Sequence, residues 1–161
     1  MKHIVLFFFL AVILSSCEPM KRFEIVGEAQ GTYYRIVYYQ QHEIITQNET
    51  DSLLRAFDMS ASNYTPQSII SKVNRNEEVG LDKIFIDIFD LSEKISEETD
   101  GMFDITVRPL VELYGFGKSA EVLITDCKRD SIIEFVGFKK IRIDNNTVIK
   151  EDDRIQLDFN A

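Results

Sequence analysis

Thr99-Asp100-Gly101-Met102-Phe103-Asp104-Ile105-Thr106-Val107-Arg108-Pro109-Leu110, with Tyr114-Gly115-Phe116-Gly117 close behind, decides the fold class of this chain. Upstream of it, Asp82 opens the strongest helical pattern in the sequence. Ile84, Phe85, Ile88, Leu91 and Ile95 recur at helical spacing, and Glu93, Lys94, Glu97 and Glu98 make a wet face. Asp100-Gly101 ends that helix, with glycine supplying the left-handed cap. Phe103 to Val107 then reads as a strand until Arg108-Pro109 interrupts it. A helix delivered straight into a strand, without regular βαβ alternation on either side, predicts an α+β fold in which helices pack on a mixed or antiparallel sheet.

Toward the N-terminus, Phe23 to Gln30 and Thr32 to Tyr39 read as a strand pair, the second rich in aromatic and β-branched residues. Gly31 between them is expected to mark a bulge or a close approach. A helix is expected from about Thr46 to Phe57, with Leu53, Leu54 and Phe57 on one face. Ser60 to Gln67 is a polar loop holding Pro66, and a short helix runs from Ser68 to Val73. Toward the C-terminus, Asp126 caps a helix that reaches Val136 and stops at Gly137. Lys140–Ile143 and Thr147–Lys150 flank Asp144-Asn145-Asn146 as a hairpin. Ile155 to Phe159 is a last strand. The sequence stops at Asn160-Ala161 directly after it, which leads us to expect the front portion of a longer protein.

The chain has 161 residues, 18 Lys+Arg against 27 Asp+Glu and a formal net charge of -9. That length fits one domain, and an apolar content of 45% with 12 Phe is enough for a core. The acidic balance and the absence of a Lys/Arg cluster argue against nucleic acid as a partner. An anionic ligand would need backbone N–H groups or a divalent cation.

The first residues read as a leader. Met1-Lys2-His3 precedes an unbroken apolar run from Ile4 to Leu14, too short to span a bilayer and right for a signal-peptide core. Leu14-Ser15-Ser16-Cys17 resembles a lipobox, the bacterial signal cut before a cysteine that is then lipidated. The expected organisation is a signal peptide over 1–16, lipidated Cys17 with a short tether over 17–22, and a folded domain over 23–161, held on the outer side of a membrane by several acyl chains. Lipidation of Cys17 leaves Cys127 without a disulfide partner, as a small helix-face residue. His42 stands alone and is expected on the surface.

Three places carry potential chemistry. The Asp100–Asp104 rim sets backbone amides, an aromatic ring and a carboxylate side by side, a surface suited to a flat ring system. Tyr64 offers an amphipathic ring in a loop. Asp104 can accept from a ribose hydroxyl or a ring N–H. Asp158 sits in an apolar strand, where a ligand or partner is favoured over bulk water.

Taken in order, the motifs resemble the FAD:protein FMN transferase family, the ApbE-type flavin transferases. Thr99–Leu110 with Tyr114–Gly117 is similar to the family's DGxFD(I/V)T…PL…GFG signature. Gly27–Tyr34 resembles its first strand pair with a GT turn. Ser62-Asn63-Tyr64-Thr65-Pro66-Gln67-Ser68, with Asn74 after it, resembles its S-x-Y-x-x-x-S…N loop. Gln156–Ala161 resembles the opening of its (V/L)DLxxxxKG motif. The resemblance covers about Phe23 to Ala161 and implies an ApbE-like (T-fold-like) domain. It further implies that Gln30, Tyr64, Met102, Phe103, Asp104 and Asp158 contact FAD, with Gln30 acting through its main chain or in a position tolerant of other residues. The backbone carbonyl of Ala161 would help hold Mg2+, a hard oxygen for a hard cation. The family's Lys-Gly continuation, its further metal ligands and its catalytic histidine have no counterpart in these residues.

The implied reaction is Mg-dependent transfer of FMN from FAD to a Ser/Thr hydroxyl of an acceptor flavoprotein, with release of AMP. Two alternatives stay open at this level. One is an FAD pyrophosphatase, with water replacing the hydroxyl. The other is a surface lipoprotein that binds flavin or a partner without turnover.

Overall fold

The structure, a computed structural model, describes residues 18–116 and 125–160. Cys17, Gly117 and Ala161 lie outside the described residues, as does the leader. The chain divides into two compact units, residues 1–55 and 56–161.

In the first unit, β1 (Lys21–Ala29) and β2 (Thr32–Gln40) form an antiparallel pair whose register runs from Lys21 opposite Gln40 to Ala29 opposite Thr32. Gln30 and Gly31 turn the chain with φ of 54° and 74°. Two consecutive left-handed residues make the mirror-image turn that matches strand twist. Gly31 therefore serves the turn rather than a bulge, and a Cβ there would meet nothing within 4 Å. The close approach is at Gly27 instead, where a Cβ would lie 2.5 Å from the Tyr34 hydroxyl oxygen. Tyr34, directly opposite, lays its ring over the glycine, donates from its hydroxyl to Asp51 Oδ1 at 2.6 Å and accepts from Gln47 Nε2 at 2.7 Å. Donation to the Asp51 carboxylate raises the Tyr34 pKa above the usual phenol value. Phe23 and Tyr38 stack with ring centroids 5.2 Å apart. Helix α1 (Gln47–Ala61) begins in this unit and ends in the second. His42 is exposed, as expected.

The second unit carries α2 (Ile69–Asn74), α3 (Lys83–Glu98), α4 (Arg108–Leu113) and α5 (Asp126–Ile133). A hairpin of β3 (Ile141–Asp144) and β4 (Thr147–Lys150) follows. Short-range side-chain caps start α2 and α3. Ser68 caps α2 by accepting from Ser71 N. Asp82 caps α3 by accepting from Phe85 N at 2.8 Å, while Ser60 donates to the same oxygen. Asp100 and Gly101 close α3 at φ of 51° and 79°, and Gly101 N reaches back to Ser96 O at 2.8 Å. Asn145 and Asn146, at φ of 46° and 61°, repeat the mirror-image turn in the second hairpin.

The core joins Ile70, Val73, Leu81, Phe85, Phe89, Ile105, Phe138, Ile141, Ile155 and Leu157. The buried line of α3 is Phe85, Phe89, Ser92 and Ser96, so the face is turned one residue from the expected stripe, and Leu91 is 56% exposed. Both lines satisfy helical spacing. The two phenylalanines take the core, and Ser92 donates its hydroxyl to Ile88 O at 2.7 Å, so that it is buried with a hydrogen-bond partner.

Several boundaries differ from expectation. Helix α1 runs on to Ala61, so Ser60 and Ala61, expected in the polar loop, are helical. Phe103–Val107 is a series of turns with a single parallel bridge between Val107 and Gln156, because the Asp104 side chain bonds the backbone two residues on and competes with a ladder. Pro109 lies in the first turn of α4 and starts a helix, since its missing N–H has no partner there anyway. Thr125, not Asp126, caps α5, and the helix ends at Ile133, short of Val136. Ile155–Phe159 keeps the burial alternation of a strand at Ile155 and Leu157, but only Gln156 pairs with backbone in strand fashion.

Candidate functional site

Within the second unit, hydrogen bonds gather the segments around Tyr64, Asp104 and Asp158. Asp158 N donates to Ile105 O at 2.7 Å, which sets the Asp158 backbone beside the Asp104–Thr106 turn. Asn63 Nδ2 donates to Leu157 O at 3.2 Å and Asn74 Nδ2 to the same oxygen at 2.8 Å. The residue before Tyr64 is thereby tied to the residue before Asp158. Gln30 belongs to the first unit, where it is exposed in the β1–β2 turn.

Each side chain has a definite setting. Tyr64 is 68% exposed on the loop after α1, and its N–H donates to Ser62 Oγ at 3.2 Å. Met102 is 90% exposed just past the end of α3. Phe103 is half-buried and packs against the core, with its N–H donating to Thr99 Oγ1 at 3.2 Å. Asp158 is half-buried, and its Oδ1 accepts from Asn160 N at 2.9 Å and Asn160 Nδ2 at 3.1 Å.

Asp104 is the most committed of the group. Its Oδ1 accepts from Thr106 N at 2.8 Å and from Thr106 Oγ1 at 2.6 Å, and its Oδ2 accepts from Phe138 N at 2.8 Å. Thr106 is fully buried, and its hydroxyl also accepts from Gly137 N at 2.7 Å. The carboxylate therefore staples the rim to the chain entering β3, and the exposed Met102 stands on that fixed base.

Sequence reasoning gave no role to Asn63, Asn74 or Thr106, although the first two stand in the quoted loop motif. Their signal is polar residues of short reach in half-buried or buried positions, which must find partners. Three or more His, Cys, Asp or Glu side chains do not converge as a metal site among the described residues. The described side chains alone do not make a Mg2+ site.

A cavity of about 340 Å³ lies elsewhere in the unit, lined by Pro109, Glu112, Leu113, Lys128, Ile132, Phe135, Arg154 and Gln156. None of the expected flavin-contact residues lines it. The expected contact residues stand outside it: Tyr64 and Met102 are exposed, and Asp158 sits on backbone held by cross-segment hydrogen bonds.

Comparison with known proteins agrees with the motifs. The chain is 29% identical over 160 residues to the FAD:protein FMN transferase of Vibrio cholerae, an alignment covering 93% of this chain and 48% of that protein. It is 32% identical over 99 residues to the FAD:protein FMN transferase of Escherichia coli K12, covering 56% of this chain and 28% of that one. The chain thus spans about half the length, or less, of these curated relatives. Among solved structures, the flavin transferase ApbE from Vibrio cholerae superposes with a TM-score of 0.79 at 29% identity, over 88% of this chain and 48% of that one. The apo flavinyl transferase ApbE of Pseudomonas stutzeri, at 23% identity and a TM-score of 0.77, shares the fold. The sequence model of the ApbE family matches residues 30–161, and with the fold and the ordered motifs in agreement, the chain belongs to the ApbE family.

Proposed function

We propose that this protein is an FAD:protein FMN transferase, lipid-anchored at Cys17 on the extracytoplasmic face of a membrane. The observation that carries the reading is the meeting of the Asn63–Tyr64, Met102–Thr106 and Leu157–Asp158 segments, in a chain similar along nearly its whole length to such a transferase. In the reaction, the acceptor Ser/Thr oxygen bonds to the FMN phosphorus, the phosphoanhydride bond to AMP breaks, and the hydroxyl proton leaves to a base. A serine or threonine hydroxyl is a weak nucleophile and needs that base. Tyr64 and Met102 offer apolar, polarisable surface to flat rings, and Asp158 offers an acceptor for a ligand hydroxyl or N–H. The resemblance assigns Mg2+ to the diphosphate, with the Ala161 carbonyl among its ligands; such an ion would offset repulsion between FAD and an acidic chain.

The test incubates the full-length protein with FAD, magnesium and an acceptor flavoprotein. Covalent flavin fluorescence on the acceptor together with free AMP is the expected result. Free FMN formed equally with and without acceptor would make the protein an FAD pyrophosphatase. FAD binding without turnover would make it a flavin-binding lipoprotein.

A further inference from the structure

Leu157 is fully buried, yet it lies in a segment that pairs in strand fashion only at Gln156. Its two backbone polar groups need partners, because an unpaired buried amide costs about 1–3 kcal/mol. Asn74, the last residue of α2, supplies them. Its Oδ1 accepts from Leu157 N at 2.7 Å and its Nδ2 donates to Leu157 O at 2.8 Å. A carboxamide presents the same donor and acceptor as a peptide group, so one side chain replaces one rung of a missing strand. The same Nδ2 donates to Asn63 Oδ1 at 2.9 Å, and Asn63 Nδ2 returns to Leu157 O at 3.2 Å. The two asparagines and one peptide unit close a cycle that joins the Tyr64 loop to the residue before Asp158.

We propose that Asn74 is a positioning residue for the flavin site: by gripping Leu157 from both sides and bracing Asn63, it sets the Asp158 carboxylate and the Tyr64 loop relative to each other. The proposal rests on the flavin-transferase reading and adds to it a residue that need not touch the ligand. Asp158 is then held on both sides, through Leu157 by Asn74 and through its own N–H by Ile105 O. Its Oδ1 is taken by Asn160, and Oδ2 has no hydrogen-bond partner among the described residues. A carboxylate whose backbone is tied to the Tyr64 loop in this way is placed before a ligand arrives, which is the task of supporting residues around a binding site.

The test measures FAD affinity of the full-length protein by calorimetry in a cycle of Asn74→Ala, Asp158→Ala and the double variant, with thermal unfolding and amide exchange alongside. If Asn74 acts through Asp158, Asn74→Ala weakens FAD binding about tenfold in the wild-type background and less than about twofold once Asp158 is alanine, a coupling expected of groups acting as a unit. Exchange at the Leu157 amide rises in Asn74→Ala beyond the change at core amides of α3. Should Asn74→Ala not fold, Asn74→Asp takes its place, since it keeps the acceptor for Leu157 N and turns the donor facing Leu157 O into a second acceptor. Equal losses of affinity in both backgrounds, or unchanged exchange at Leu157, would overturn the positioning role while leaving the flavin reading standing. Wild-type protein that takes up no FAD would sink the flavin reading and this role with it, and the exchange measurement would still report whether the clasp exists.

Discussion

Asp104 and Phe138 stand 34 residues apart in sequence and are joined by one hydrogen bond, Phe138 N to Asp104 Oδ2 at 2.8 Å. With Thr106 on the other oxygen, the carboxylate ties the rim of the candidate site to the entrance of β3. Asp104→Ala strands the Phe138 and Thr106 amides, so it is expected to lower unfolding free energy by roughly 1.5–3 kcal/mol, the range for hydrogen bonds to a charged group. Urea denaturation reads this without any ligand. FAD affinity is expected to fall as well. A variant with normal stability would remove the staple from the account.

The face that α3 turns inward gives a second contrast. Phe85 is fully buried and Leu91 is 56% exposed, although both satisfy the helical spacing. Phe85→Ala is expected to cost about 3–5 kcal/mol, the range for emptying a packed aromatic site. Leu91→Ala is expected to stay within about 0.5 kcal/mol, as surface changes do. Chemical denaturation of the two variants side by side decides the orientation of the helix, and equal costs would refute it.

Lys150 donates from Nζ to Val73 O at 2.7 Å and to Asn76 Oδ1 at 2.8 Å, and burial pushes its pKa from 10.5 down to about 8, with Asp153 pulling weakly the other way. The folded state therefore releases this proton more readily than the unfolded chain. Between about pH 8 and 10.5 the unfolded state holds more protons at this site, so its contribution to stability rises with pH across that window. Below about 8 the burial penalty is present in full. Lys150 is only about half buried, and the gain, discounted for solvent screening, is on the order of 1 kcal/mol. The informative quantity is wild type minus Lys150→Met, followed by thermal unfolding from pH 7.5 to 10. A difference that falls with pH would reverse the sign argued here.

Cys17 lies beyond the described residues, and its lipidation rests on the Leu14–Cys17 sequence alone. Growth of the source cells with a clickable fatty acid is expected to label wild-type protein and not Cys17→Ser. Label retained in the variant would refute the anchor.

Local chemistry made much of this fold readable. Asp82 and Asp100-Gly101 bracket α3 because caps act within a few residues, and Asn145-Asn146 fixes its hairpin for the same reason. Other features were not readable, because the deciding partner is remote. Ile155–Phe159 has a strand's alternation, yet its partner at Leu157 is the side chain of Asn74, 83 residues away. Phe103–Val107 has strand-forming residues, yet Asp104 spends its carboxylate on Thr106 and Phe138. The candidate site divides in the same way. All six residues stand in the ordered motifs, but the motifs imply a contact only for Tyr64, Met102 and Asp158; Asn63, Asn74 and Thr106 act through side-chain bonds that leave no periodic trace.

The Tyr34 ring fills the space where any side chain at position 27 would begin, and its hydroxyl is moored to Asp51 and Gln47. The two positions share one volume. A lineage that lets position 27 grow has to shrink position 34 or swing its ring aside, and either way the bonds to Asp51 and Gln47 are given up.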